Sequence, residues 1–388
     1  MTQAVTALAL ALMLAAVPAQ AQAQPRPERL LLGYYVPYDT TSWASLEAHA
    51  DALDLVAAQW VSVDACGNLG TVDDQTVKQF ASSRGIQIVP SLLTLSGWLN
   101  HRLLTDEAVA DQFLSQIVEY TVAENYPGFD LDLEGVDAAD REALSTFVTR
   151  VGSALHEQGK LLTLAIPAKE RDVTVGWAGP YDYAALGAAA DLVTIMAYEY
   201  RGPFSGPGSV APYDWVERVL AFATRQIAPS KVLLGVAFYG YDWNTSSGGT
   251  RSVGFPQAQA LAARYGVDIG YDDTVQSATF SYQSLAGERP PASTAAARVT
   301  HTLTHREPPP CDVAPPPTTP VPSPAVTPVP GTVQSHEVWV EDHQSAVARL
   351  GLADRYAAGG VATWRLGLED PLLWEAIQGW RSTVTGSN

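Results

Sequence analysis

Residues Gly128-Phe129-Asp130-Leu131-Asp132-Leu133-Glu134 set three carboxylates at every second position. In an extended strand alternate side chains share a face. Asp130, Asp132 and Glu134 therefore point one way, and Phe129, Leu131 and Leu133 the other. A face carrying three acids is costly to bury. Acids packed that closely cannot all ionise, so protons are shared and at least one pKa rises. A carboxyl held protonated near neutral pH is a general acid. The same D-x-D-x-E spacing also suits an exposed edge strand or a calcium site, and spacing alone leaves these open.

Such a strand needs helices behind its apolar face and an enclosed space in front. The rest of the chain supplies both. Short apolar runs recur at Leu30 to Val36, Leu53 to Val63, Gly85 to Leu92, Gly128 to Leu133, Leu161 to Pro167, Leu192 to Ala197, Val232 to Ala237 and Gly360 to Trp364. Helical stretches such as Asp73 to Ser82, Ala108 to Tyr120 and Arg141 to Glu157 separate most of them. Eight strand–helix alternations fit a (β/α)8 TIM barrel spanning 28–385, with the acidic strand fourth in order. An open doubly wound sheet is the competitor, but no Gly-rich phosphate loop follows the first strand.

About 120 residues lie between the seventh and eighth runs, far more than a barrel connection needs. Pro256 to Tyr265 reads as a helix, and Gly270-Tyr271, Thr279 to Tyr282 and Glu337 to Val340 as strands, giving a small α+β insertion over 244–342. Within it, 286–335 is rich in Pro, Thr, Val and Ala. It reads as extended or disordered chain joining two strands of one hairpin.

Residues 1–23 read as a signal peptide. An apolar run from Thr6 to Val17 precedes the small-residue pattern Ala19-Gln20-Ala21-Gln22-Ala23, and is too short to span a bilayer comfortably. A secreted or cell-wall-associated protein is expected, with no stable membrane insertion after cleavage. The formal net charge of -18, from 41 acids and 23 bases, disfavours nucleic acid as a partner. Cys66 and Cys311 permit one disulfide in an exported chain, and sequence leaves the bridge open. No metal-ligand spacing occurs, so neither metal nor cofactor is expected. The seven histidines (His49, His101, His156, His301, His305, His336 and His343) do not cluster in sequence with a nucleophile. With no G-x-S-x-G turn or P-loop either, serine-nucleophile and nucleotide chemistry rank low.

The acidic strand resembles the signature of glycoside hydrolase family 18, D-G-x-D-x-D-x-E, with Pro127 in place of the leading acid. Three further motifs agree in order. Gly33-Tyr34-Tyr35 resembles the first strand, Met196-Ala197-Tyr198-Glu199 the sixth-strand M-x-Y-D with Glu for Asp, and Gly360 to Trp364 the last strand with its tryptophan. Runs such as Gly202 to Gly208 and Leu234 to Trp243 are similar to the bacterial branch of spore-cortex and cell-wall hydrolases.

The resemblance implies cleavage of a polysaccharide containing N-acetylglucosamine, by a retaining mechanism in which the substrate's own acetamide is the nucleophile. It assigns Glu134 as proton donor, Asp132 to the acetamide N–H, Asp130 to tuning Asp132, and Tyr198 to the acetamide oxygen. Trp364 would floor the distorted sugar, with Met196 and Glu199 beside it. Tyr34, Trp98, Trp243 and Trp339 are sugar platforms or packing residues. A lectin-like barrel without catalysis is the alternative from another class. Chitin against peptidoglycan, and endo against exo action, stay open. A monomer is the default.

Overall fold

The computed structural model describes residues 29–288, 301–316 and 329–382. The expected signal peptide lies outside these residues, as does part of the Pro-rich segment. Numbered in chain order, the described strands are β1 (Leu30–Tyr35), β2 (Leu55–Val63), β3 (Leu69–Asp74), β4 (Gln87–Thr94), β5 (Gly128–Leu133), β6 (Leu161–Pro167), β7 (Leu192–Met196) and β8 (Val232–Ala237). They continue with β9 (Tyr239–Asn244), β10 (Thr250–Gly254), β11 (Gly270–Asp272), β12 (Ser277–Leu285), β13 (Leu303–Arg306), β14 (Val333–Val340) and β15 (Gly360–Trp364).

Eight parallel strands run β1-β2-β4-β5-β6-β7-β8-β15, and β1 pairs with both β2 and β15, so the sheet closes. These are the eight apolar runs of the sequence. The strands are buried on both faces over most of their length, which is why they read as mainly apolar runs, with the acids of β5 as the interruption. The inward layer is small and aliphatic, with Leu30, Leu32, Leu55, Ala57, Val89, Ala165, Leu192, Leu233 and Ala362 filling the barrel. Outward residues such as Leu31, Val56, Phe129, Leu131, Ile195 and Leu234 join the larger core beneath the helices.

Several helices begin on a carboxylate or hydroxyl that accepts from their first free N–H groups, which fixes where the chain leaves each turn. Asp39 caps Thr40–His49, Ser96 caps Gly97–Thr105, Asp106 caps Glu107–Ala123 and Asp182 caps Tyr183–Ala189. The connections between strand mouths and helices are thereby held in register above the barrel.

The insertion after β8 is a five-stranded sheet, ordered β10-β9-β14-β12-β11, with helix Phe255–Tyr265 packed on one face. It has its own core of Val253, Phe255, Leu261, Phe280, Tyr282, Val338 and Val340. Its first strand starts at Tyr239, directly after the barrel strand, earlier than residue 244.

Two elements depart from the sequence reading. Asp73 and Asp74 end a strand, β3, which runs back antiparallel to β2, and the helix starts at Gln75. Asp74 is its N-cap, accepting from Thr76 and Val77 N–H at 3.0 and 3.2 Å. Within the segment read as extended or disordered, Leu303–Arg306 forms β13 and pairs antiparallel with β3. Cys311, just beyond, is disulfide-bonded to Cys66, with Cα atoms 5.9 Å apart.

Candidate active site

The acidic strand β5 lies between β4 and β6, and register places Ser91, Asp130 and Thr163 at one level. Both neighbours carry hydroxyls there. Ser91 Oγ donates to Asp130 Oδ2 at 2.7 Å and Thr163 Oγ1 to Oδ1 at 2.5 Å. Asp130 is fully buried, and burial raises its pKa to about 6 although the two hydroxyls pull it down. β5 and β6 approach so closely that a Cβ at Gly128 would lie 2.3 Å from the Leu161 carbonyl oxygen, so glycine is required there.

Two residues up the same face, Asp132 is 3% exposed and its Oδ1 has no hydrogen-bond partner among the described residues. Burial, then the charge of Glu134, then that of Asp130 hold its carboxyl well above the usual range. Glu134 follows at the barrel mouth, half-buried. Burial first, and the Glu199 carboxylate second, push its pKa from 4.5 to about 7. At neutral pH this site keeps protons on carboxyl groups, as a general acid requires.

The strand end is fixed by residues with no motif to announce them. Asn100 is buried; its Nδ2 donates to the Glu134 carbonyl at 2.5 Å, and the Thr94 hydroxyl donates to its Oδ1. Glu134 N–H donates to the Thr94 carbonyl at 2.8 Å. Tyr181 OH donates to the Leu133 carbonyl at 2.7 Å. Gly135 turns the chain away in a left-handed conformation (φ +68°) that a side chain would strain.

Tyr198 stands at the end of β7. Burial and then the charges of Asp132, Glu134 and Glu199 raise its hydroxyl pKa well above the ordinary value, so it remains a donor. Tyr34, on β1, is likewise raised by burial and by Asp130 and Asp132. Trp364 ends β15, half-buried, with its ring 5.5 Å edge-on from Tyr34. Met196 and Trp364 both rest on the inner barrel layer.

Glu199 takes a left-handed backbone (φ 64°) and turns toward the insertion. Its Oε1 accepts from Tyr239 OH and, at 2.6 Å, from Tyr241 OH. The extra methylene relative to Asp, about 1.5 Å of reach, is thus spent on two tyrosines of β9. Trp243 is 3% exposed and packs against Tyr241, and its buried indole N–H has no partner among the described residues. Trp339 is half-buried and donates to Glu337 at 2.7 Å.

Beyond Glu134 a cleft of about 700 Å³ opens between Gly135, Val136, Trp98, His101, Asp140 and Trp177. Trp177, on the loop after β6, is 57% exposed and has no sequence signal of its own. Asp64, Cys66 and Cys311 are the group of acid and sulfur atoms close enough to hold an ion among the described residues, and both sulfurs are committed to the disulfide.

A closed barrel with three stacked inward carboxylates on its fourth strand can now be set beside known proteins. The model of the family described as "Glycosyl hydrolases family 18" matches residues 31–369. The chain belongs to that family. It is a glycoside hydrolase by that membership. Among its relatives is the "Uncharacterized glycosylase YvbX" of Bacillus subtilis, 24% identical over 355 residues and covering 89% of each chain. The "Cortical fragment-lytic enzyme" of Bacillus subtilis is 27% identical over 281 residues, 71% of this chain and 54% of that protein. The chain spans about half the length of that enzyme. Among solved structures, a chitinase from Chromobacterium violaceum superposes with a TM-score of 0.73 at 27% identity, covering 91% of this chain and 98% of that one. The bacterial spore-cortex branch suggested by the motifs is therefore among its relatives. No described helix is long and apolar enough to cross a membrane.

Proposed function

We propose that this family-18 chain is an exported enzyme hydrolysing the β-1,4 bond after an N-acetylglucosamine-type sugar, in chitin, chito-oligosaccharide or peptidoglycan. The mechanism is retaining and substrate-assisted. Glu134 donates its proton to the glycosidic oxygen as that bond breaks. The carbonyl oxygen of the substrate's own 2-acetamido group attacks the anomeric carbon, giving a bicyclic oxazolinium ion. Water then opens this ion, with Glu134 taking back a proton.

The observation that carries the reading is Asp132 Oδ1, a buried acceptor without a partner. An unpaired buried acceptor costs about 1–3 kcal/mol, and the acetamide N–H would satisfy it as positive charge develops on that nitrogen. Asp130 stores the proton that Asp132 cannot keep while it stabilises the cation. Tyr198, protonated at any working pH, donates to the acetamide oxygen and aims it. Trp364, backed by the buried Tyr34, gives the sugar an apolar floor, with Met196 at its side. Glu199 acts less on the sugar than on Glu134, through its charge.

Relatives named for cortical fragments and for chitin support a polymer bearing acetamides without choosing between them. The test is to incubate the protein and Glu134→Gln with chitotetraose and, separately, with purified peptidoglycan, and to identify products by mass spectrometry. Chitobiose that is absent with the variant is the chitinase outcome. Fragments from peptidoglycan alone assign cell-wall cleavage. Binding of both without cleavage of either overturns the mechanism in favour of a lectin-like barrel.

A further inference from the structure

On the inserted sheet, the face opposite Tyr239 and Tyr241 carries a second set of chemical groups, which the barrel chemistry does not use. Asp242, on β9, is 3% exposed. Its Oδ1 lies 2.8 Å from Nδ1 of His336 on the neighbouring β14. Nε2 of that imidazole lies 3.1 Å from Ser284 Oγ on β12, the next strand across. Acid, imidazole and hydroxyl thus occupy three successive strands, β9-β14-β12, in relay order. Residues 242, 284 and 336 are far apart in sequence, which is why the sequence showed no histidine beside a nucleophile.

The relay is held from several sides. The Tyr282 ring stacks on His336 at 4.4 Å and 13°, and Tyr265 stacks on Tyr282 at 4.4 Å. Tyr282 OH and Arg251 Nη2 both donate to Asp242 Oδ2, at 2.8 and 2.6 Å. With its ring held and Nδ1 against the Asp242 carboxyl, the imidazole turns its Nε2 toward the Ser284 hydroxyl. These groups border a cavity of about 250 Å³ that Asn244, Gly249, Arg251 and the carboxyl of Glu288 also line. The Arg251 side chain is 39% exposed, placing a guanidinium in its wall. A hydrogen-bonded packing network would account for the buried members. It does not account for a hydroxyl, an imidazole and a cation opening together on one small cavity.

We propose that Ser284, His336 and Asp242 form a second hydrolytic site, acting on short acyl esters such as an O-acetyl group. Ser284 Oγ attacks the acyl carbon as His336 Nε2 takes its proton, while Arg251 holds the Asp242 carboxylate behind the imidazole. The acyl C–O bond to the alcohol breaks, and His336 returns the proton to the departing alkoxide. A water molecule, deprotonated by His336, then hydrolyses the acyl-serine, releasing the carboxylic acid and restoring Ser284.

The full chain is treated with a fluorophosphonate, the modified peptide is mapped by mass spectrometry, and p-nitrophenyl acetate hydrolysis is compared between wild type and Ser284→Ala. The proposal expects phosphonylation on Ser284 and an ester-hydrolysis rate about 100-fold lower in the variant. Thermal unfolding should be unchanged, since one half-buried hydroxyl is lost. Absence of label on Ser284, or equal ester hydrolysis by the two proteins, overturns it and leaves the cluster a structural network. Neither readout depends on the barrel's glycosidase reaction.

Discussion

Replacing Glu199 by Gln tests whether Glu134 is tuned as the geometry implies. The variant keeps the length of the side chain and an oxygen for Tyr239 and Tyr241, and removes only the charge. With an ordinary pKa of 4.5, about one Glu134 in 300 would carry a proton at pH 7; at about 7, half do. Glu199 is the smaller of the two causes, behind burial, so its charge supplies less than half of that rise. The active form is the protonated one, so activity is lost as pH rises through the folded pKa. The alkaline limb of kcat/KM should therefore lie near pH 7 in wild type and move down by about 0.3–1 pH unit in Glu199→Gln. At pH 8 that is a loss of roughly 2- to 10-fold relative to wild type, with the plateau at pH 5 little changed. The assay is a pH series with a fluorogenic chito-oligosaccharide. If the limb does not move on removing the charge, Glu199 does not tune Glu134. If the wild-type limb lies below pH 5, Glu134 is not the raised acid.

Three further outcomes follow from the same geometry. Asp130 has a folded pKa of about 6 against an ordinary 3.8, so the native state binds more protons than the unfolded one between these values. Stability from this group is fully present below about pH 4 and falls as pH rises through 6. Asp130→Asn, compared with wild type by thermal unfolding, should therefore be the more stable at pH 8 by up to about 3 kcal/mol and show no such gain at pH 4. Asn100→Ala removes the hydrogen bond on the Glu134 carbonyl and leaves Thr94 without its partner. It should cost about 1–3 kcal/mol in stability and lower kcat more than it raises KM; an unchanged kcat would mean the strand end needs no such clamp. Reducing Cys66–Cys311 frees a link across a sequence separation of 245 residues. Reduction should lower stability by about 2–4 kcal/mol and speed tryptic cleavage at Arg306 relative to the oxidised protein.

What the sequence revealed and what it hid divide along a physical line. The eight barrel strands were legible because burial on both faces makes each an apolar run, and Asp130, Asp132 and Glu134 were legible because charge interrupts one of those runs at period two. β3 was hidden because Asp73 and Asp74 look like the start of a helix, and Asp74 is indeed its cap; only pairing with β2 makes the preceding residues a strand. β13 was masked by the prolines around it and by its own composition, since Leu303 is the one apolar residue in Leu303–Arg306. The disulfide could not be read because nothing local brings Cys66 to Cys311. Asn100 and Tyr181 act on main-chain carbonyls, an interaction that leaves no trace in residue spacing. The Glu199 substitution was visible, but its consequence was not, since the tyrosines that receive the longer side chain arrive on a strand 40 residues later. Residues that act as single chemical groups on a strand face are thus found by pattern. Those that act through the backbone, or through partners on distant strands, emerge only when the fold assembles them, and Ser284, His336 and Asp242 are of that second kind.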